Sequence, residues 1–156
     1  MPNVRDNRQE NEPVWIKLEN HVFDENNFYR VVNEKGYQDF LEHNALRSSP
    51  DGTESMIVDN IEVGHRPTSF PSFDKGAPDK SYFDPESASY IFESAVPMYR
   101  RGESNPATGA EIRGRHWAYR ALDPQTGETL KEIPRDKIIN IYKREKDETL
   151  YVLKSS

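Results

Sequence analysis

Apolar and polar residues alternate in several short stretches of this chain, a pattern that favours β-strands. VWIKLENHVF (residues 14–23) predicts a first strand, and NNFYRVV, which follows it, predicts a second. SMIVDNIEVG contains two short β-branched runs, either of which suits a strand or an edge segment. The first half of the chain therefore indicates a sheet built from short strands.

The C-terminal part of the chain predicts four further strands. GRHWAYRALDPQTGETLKEIP reads as strand, turn and strand, with the turn at Asp123–Gly127. DKIINIYKR and TLYVLK follow it, joined by the charged residues EKDE. Strands that follow one another through short turns favour antiparallel pairing.

Helical spacing of apolar residues predicts two principal helices. Asn33 is a suitable N-cap, and the apolar positions after it predict a helix from Glu34 to about Leu46. Asp84 as N-cap and Pro85 at the first helical position, followed by the stripe Ala88, Ile91, Phe92 and Ala95, predict a second helix from Pro85 to about Ala95. With the strands, these helices predict an α+β fold.

The domain organisation follows from composition and length. Residues 1–13 are polar, lack a period and predict a disordered tail, which leaves residues 14–156 as a single domain. The stretch from His65 to Asp84 contains several prolines and Gly76, so it predicts a long irregular segment. Long irregular segments in compact domains are often functional.

Composition narrows the possible functions. The eight Tyr, seven Phe and two Trp supply large apolar area for a core although 31% of the residues are charged. A net charge of −6 argues against generic binding to nucleic acid or anionic membranes. No apolar stretch has the length of a spanning helix or of a signal peptide core, so we expect a soluble protein, cytoplasmic or secreted without a visible signal peptide.

Several catalytic classes lack their sequence motifs. The chain has no cysteine, P-loop, G-x-G-x-x-G or G-x-S-x-G. Its histidines are scattered without metal-ligand spacing, so we predict no metal site; they are His21, His43, His65 and His116.

Arg30 and Glu132 are charged residues at predicted strand positions. In a strand, Phe28 and Arg30 share one face, which is either a sheet edge in solvent or a cleft wall where the arginine binds an anion such as phosphate. Glu132 ends a predicted strand; it is either a surface carboxylate or one that stabilises a developing cation or accepts a proton.

The irregular segment supplies hydroxyl and aromatic side chains. The hydroxyls of Thr68, Ser69 and Ser72 either form turns or hold the polar edge of a planar ring. Tyr82 and Phe83 either staple the entry of the predicted second helix or line a pocket.

Taken together and in this order, these motifs resemble the ADP-ribosyltransferase-like toxin and effector domains of bacteria. The motifs are the YRVV strand before a helix, the TSF segment, SYF before ESASYIFE, and a glutamate followed by IPRDKIINIYK. The resemblance covers about residues 28–153 and implies a split sheet around NAD. It also implies an ADP-ribosyltransferase, or an NAD glycohydrolase, with a protein acceptor and a cognate inhibitor protein as possible partners.

The resemblance also implies roles for individual residues. Arg30 would contact the NAD phosphates, Ser69 would order the nicotinamide side, and Glu132 would stabilise the ribosyl oxocarbenium ion. These three are the implied catalytic residues. The implied NAD-binding residues are Tyr29, Arg30, Thr68, Ser69, Ser72, Tyr82 and Phe83.

Some positions leave alternatives open. Leu130 stands where arginine-modifying members have the first glutamate of Glu-x-Glu, which puts arginine as acceptor in doubt. Either Ser69 or Ser72 can be the relevant hydroxyl, and Glu111 and Glu128 compete with Glu132. The alternative function is a catalytically silent α+β module that binds a partner protein.

Overall fold

The computed structural model describes residues 13–48, 54–58, 61–65, 69–114 and 116–154, with the backbone alone for 54–58 and 61–65. Its helix and strands are, in chain order, β1 Trp15–Leu18, β2 Phe28–Val32, α1 Glu34–His43, β3 Ala45–Arg47, β4 Glu54–Val58, β5 Ile61–His65, β6 Asp74–Lys75, β7 Ser89–Ser94, β8 Met98–Tyr99, β9 Arg120–Ala121, β10 Glu132–Pro134, β11 Asn140–Arg144 and β12 Leu150–Leu153. Short 3-10 turns lie at Lys80–Tyr82 and Arg135–Lys137.

A six-stranded sheet with the order β1-β12-β11-β7-β2-β6 forms the centre of the fold. The described strand pairs are antiparallel, including the smaller pairs β10-β3, β4-β5 and β8-β9. The predicted α+β class with mainly antiparallel strands is therefore confirmed. No helix in the described ranges is long and apolar enough to cross a membrane.

The two faces of the sheet are covered differently. Alternate residues of each strand point to opposite faces. The helix-side face packs against α1 and β10 in a core cluster that includes Phe28, Phe40, Phe92 and Ile133. The opposite face carries a smaller cluster of Tyr29, Ile91 and Tyr142, against which Phe23 and Phe83 pack.

Helix α1 begins as predicted and ends earlier. The Asn33 side chain accepts a hydrogen bond from Gly36 N at 3.0 Å, as an N-cap does. Asn44 adopts a left-handed conformation with φ 55° and ends the helix after His43. The predicted end near Leu46 is wrong, because Ala45 and Leu46 belong to β3, which pairs with β10.

The second predicted helix, from Pro85 to about Ala95, is wrong. Ser89–Ser94 forms β7, which lies between β11 and β2 with all six residues buried. A strand buried on both faces carries a continuous apolar run, which also satisfies helical spacing. Asp84 does cap the backbone, accepting a hydrogen bond from Glu86 N at 2.8 Å, but a turn follows rather than a helix.

The remaining strand predictions are confirmed to different extents. β2, β11 and β12 form where predicted, and both β-branched runs in SMIVDNIEVG are strands. The first strand covers only Trp15–Leu18 of the predicted 14–23. The predicted strands on either side of the Asp123–Gly127 turn are reduced to the short β9 and β10. Of the predicted tail, residues 1–12 lie outside the described residues.

Candidate functional site

Arg30 lies buried on β2, where β2 pairs with the edge strand β6. Only 5% of the Arg30 side chain is exposed, so the arginine does not face solvent as the simpler interpretation expected. Its Nη1 donates to the backbone carbonyl and to the hydroxyl of Ser72, both at 3.2 Å. The fold therefore brings together two residues, 42 positions apart in sequence, that were both predicted for the site.

Asp74, two residues after Ser72, is a carboxylate that the sequence did not single out. It lies on β6, opposite Tyr29 of β2. Burial and the negative charge of Asp79 raise the pKa of Asp74 to about 6, while the charge of Arg30 opposes the rise. In the sequence, Asp74 resembles many other surface carboxylates, and only the pairing of β6 with β2 distinguishes it.

The other residues of the irregular segment occupy separate positions. Ser69 is exposed at the start of a described segment, and Thr68 lies outside the described residues. Tyr82 ends the 3-10 turn Lys80–Tyr82, whose first turn is capped by Asp79 through a 2.9 Å hydrogen bond from Ser81 N. No described contact joins Ser69 to Arg30.

Phe83 and Tyr29 lie on the opposite face of the sheet from Arg30. Phe83 packs against the cluster of Tyr29, Ile91 and Tyr142, and the guanidinium of Arg144 lies 4.3 Å from the centre of its ring. The structure therefore does not place the Phe83 ring beside the Arg30 guanidinium.

Glu132 lies exposed on β10, opposite Arg47 of β3. Arg47 donates in turn from Nε to Oδ2 of Asp39 at 3.0 Å. Within the described part of the chain, no hydrogen bond or ion pair joins Glu132 to Arg30. The competing glutamates Glu111 and Glu128 are exposed as well.

Glu93 is a buried carboxylate that sequence reasoning missed because it lay in the predicted second helix. It is 3% exposed and faces the side of the sheet opposite Arg30. Its donors are Asn27 Nδ2 at 2.7 Å, Tyr29 Oη at 2.9 Å, Asn140 Nδ2 at 3.0 Å and Tyr142 Oη at 2.6 Å. We call this set the Glu93 network.

The Glu93 network holds its carboxylate in the charged form. Burial is the largest influence and raises the pKa of Glu93, but the four hydrogen bonds together outweigh burial and leave the pKa below its ordinary value. The donors are neutral side chains from β2, β11 and the segment before β2. The network therefore connects the central strands to one another.

In the described ranges, no group of three or more His, Asp or Glu side chains could hold a metal ion.

Comparison with protein-family models, with curated proteins and with solved structures finds no match for this chain. The described side chains therefore supply the grounds for a functional proposal.

Proposed function

We propose that this protein binds NAD at the sheet edge where β2 meets β6 and breaks the bond between nicotinamide and ribose. It acts as an ADP-ribosyltransferase, or as an NAD glycohydrolase when water is the acceptor. The observation that carries the proposal is the contact of Arg30 with the carbonyl and hydroxyl of Ser72. The sequence resemblance assigns both residues to NAD binding, and the fold joins them.

The Arg30–Ser72 pair offers a donor set that suits a phosphate. A guanidinium has several donors in a fixed plane and binds phosphate oxygens through two of them at once. The two contacts to Ser72 fix the orientation of that plane through Nη1. We infer that the pair orients the pyrophosphate of NAD and leaves the ribose to a neighbouring carboxylate.

A carboxylate near the ribose lowers the barrier to bond breaking. The bonding electron pair leaves with nicotinamide, and the ribose carbon becomes an oxocarbenium ion that a negative charge stabilises in the transition state. The resemblance assigns this role to Glu132. Asp74 is a second candidate for this role, because the charge of Arg30 acts on Asp74 and because Asp74 is two residues from Ser72.

The wider parts of the proposal rest on the resemblance alone. They are a split sheet that surrounds NAD, action as a bacterial toxin or effector, a protein acceptor of ADP-ribose, and a cognate inhibitor protein. Ser69, Thr68 and Tyr82 belong to the same proposal as residues near the nicotinamide side.

The experiment is chromatographic measurement of nicotinamide released from NAD, with and without candidate acceptor proteins. We expect release by the wild type, and a fall in kcat of about 10²-fold or more in the variant that lacks the stabilising carboxylate. Asp74→Asn and Glu132→Gln are compared directly, with the exposed Glu86→Gln as control. Loss only in Asp74→Asn assigns the role to Asp74, and loss only in Glu132→Gln assigns it to Glu132.

A second candidate function is a catalytically silent module that binds a partner protein. The position of Phe83 favours it, because this implied NAD-binding residue packs on the opposite face of the sheet from Arg30. A wild type that neither binds NAD nor releases nicotinamide would support this alternative.

A further inference from the structure

Arg120 is a second buried arginine next to the segment that carries Ser72. It lies on β9 and is 5% exposed. Tyr119, which precedes it, exchanges two backbone hydrogen bonds with Phe73, each of 2.9 Å. The chain around Ser72 and Phe73 thus lies between the strand of Arg30 on one side and the strand of Arg120 on the other.

The charge of Arg120 is only partly compensated. Its Nη2 donates to the carbonyls of His116 at 2.9 Å and Ala118 at 3.3 Å, and the guanidinium lies 4.6 Å from the centre of the Phe70 ring. In the ranges that the structure describes, Arg120 forms no ion pair with a carboxylate, and its buried Nε has no hydrogen-bond partner.

Burial of such a cation is unfavourable without an anionic partner. Removing a guanidinium from water costs free energy that carbonyl dipoles and an aromatic face recover only in part. The same burial lowers the pKa of Arg120. An anion supplied by a ligand would complete the coordination of this side chain.

A glycine lies close to one of the donors of Arg120. A side chain added to Gly114 would have Nη1 of Arg120 as its nearest neighbour, at 3.9 Å. Because Gly114 has no side chain, that space beside Nη1 is not filled by the residue. The guanidinium is therefore bordered by Phe70 on its face and by a bare backbone position near one of its donors.

We propose that Arg120 is a phosphate ligand that binds the pyrophosphate of NAD together with Arg30. The inference rests on the proposed function for its ligand and extends it to a residue to which the sequence resemblance assigns no role. Two arginines on the two sides of the Ser72 segment match the two phosphates of a pyrophosphate. Arg120 contributes affinity, and the carboxylate near the ribose contributes to bond breaking.

The direct test is titration calorimetry with inorganic pyrophosphate and with ADP-ribose, at constant ionic strength set with sodium chloride. Wild type is compared with Arg120→Met and with Arg113→Met, which removes the same charge from an exposed position in the same segment. We expect Arg113→Met to bind like the wild type and Arg120→Met to lose about tenfold or more in affinity. Equal affinity in all three proteins would overturn the proposal.

A measurement on the wild type keeps the proposal testable if Arg120→Met fails to fold. The nuclear magnetic resonance signal of the Arg120 Nε–H is assigned by its loss in Arg120→Lys. We expect this signal to shift when pyrophosphate is added. An unchanged signal in protein saturated with pyrophosphate would overturn the role of Arg120.

Nicotinamide release separates failure of this inference from failure of the proposed function. If pyrophosphate binding depends on Arg120 but the wild type releases no nicotinamide, the phosphate site stands and the enzymatic proposal fails. If the wild type releases nicotinamide and Arg120→Met keeps the same KM, the enzymatic proposal stands and Arg120 has no ligand role. A wild type that binds neither pyrophosphate nor NAD overturns both.

Discussion

At the scale of single residues, two carboxylates on neighbouring parts of the sheet have pKa values shifted in opposite directions. Glu93 is held by four hydrogen bonds from neutral donors, which outweigh burial and lower its pKa. Asp74 is affected by burial and by Asp79, which raise its pKa to about 6. The two groups therefore give opposite contributions to stability as the pH changes.

Glu93→Gln is expected to destabilise the fold. The amide has a similar shape, but its NH₂ group faces donors that need an acceptor, so the variant loses hydrogen bonds and leaves buried donors unsatisfied. We expect the free energy of unfolding to fall by about 3 kcal/mol, measured by urea denaturation at pH 7. Glu86→Gln, an exposed change of the same kind, serves as control. Equal losses in the two variants would contradict a structural role for the Glu93 network.

The same carboxylate sets the acid sensitivity of the fold. Because the folded-state pKa of Glu93 lies below its unfolded value of about 4.3, its stabilisation is fully present above that pH and is lost as the pH falls through the folded-state value. The stability difference between wild type and Glu93→Gln should therefore shrink below about pH 4. A difference that stays constant down to pH 2 would refute this explanation.

Asp74→Asn is expected to stabilise the fold at pH 8. The folded-state pKa of Asp74 lies above the unfolded value of about 3.9, so the wild type loses stability as the pH rises from about 3.9 to about 6, where Asp74 ionises in the folded state as well. We expect the variant to melt at a higher temperature than the wild type at pH 8 and at the same temperature near pH 3.5. A lower melting temperature at pH 8 would show that the charged form of Asp74 is favoured by a partner.

At the scale of elements, the sequence predicted those segments whose local pattern has a single interpretation. β2, β11 and β12 are short β-branched or aromatic runs between polar residues, and Asn33 marks the start of α1. β7 was misassigned because a strand buried on both faces has no alternation, and its residues SYIFES fit a helix equally well. Only the long-range pairing of this segment with β2 and β11 makes it a strand rather than a helix.

Helix α1 also shows a close contact that the sequence does not reveal. A Cβ atom on Gly36 would lie 2.6 Å from the Cβ of Val32, so the first turn of the helix passes directly against β2. Alanine has a higher helix propensity than glycine by about 1 kcal/mol, but the clash outweighs this gain. We therefore expect Gly36→Ala to lower the free energy of unfolding, as measured by denaturation.

A second background tests the cause of that loss. In Val32→Ala the side chain facing Gly36 is smaller, so Gly36→Ala should cost less there than in the wild type. The same cost in both backgrounds would show that the helix, and not its contact with β2, determines the effect.

At the scale of the whole molecule, the sheet separates two polar regions that the sequence could not assign to faces. Arg30 and Ser72 meet at the β2–β6 edge, and the Glu93 network occupies the face of the sheet opposite Arg30. The sequence resemblance implied Arg30 and Ser72 as site residues, yet the sequence could not place Phe83, because a residue outside regular structure has no periodicity that defines a side. Asp74 was missed because its surroundings depend on strand pairing.

Arg30→Lys tests the role of the arginine in binding rather than bond breaking. A single ammonium cannot reproduce the two-point contact of a guanidinium with phosphate, so KM for NAD should rise by about tenfold or more while kcat changes little. Circular dichroism establishes that the variant is folded. A fall in kcat at unchanged KM would contradict a binding role.

Release of nicotinamide from NAD by the wild-type protein tests the central proposal most directly. The proposal predicts nicotinamide that accumulates with time and with protein concentration, and release that falls when Arg30 is replaced by lysine at NAD concentrations below KM. Absence of nicotinamide from wild-type reactions, both alone and with candidate acceptor proteins, would contradict NAD cleavage at the Arg30–Ser72 edge.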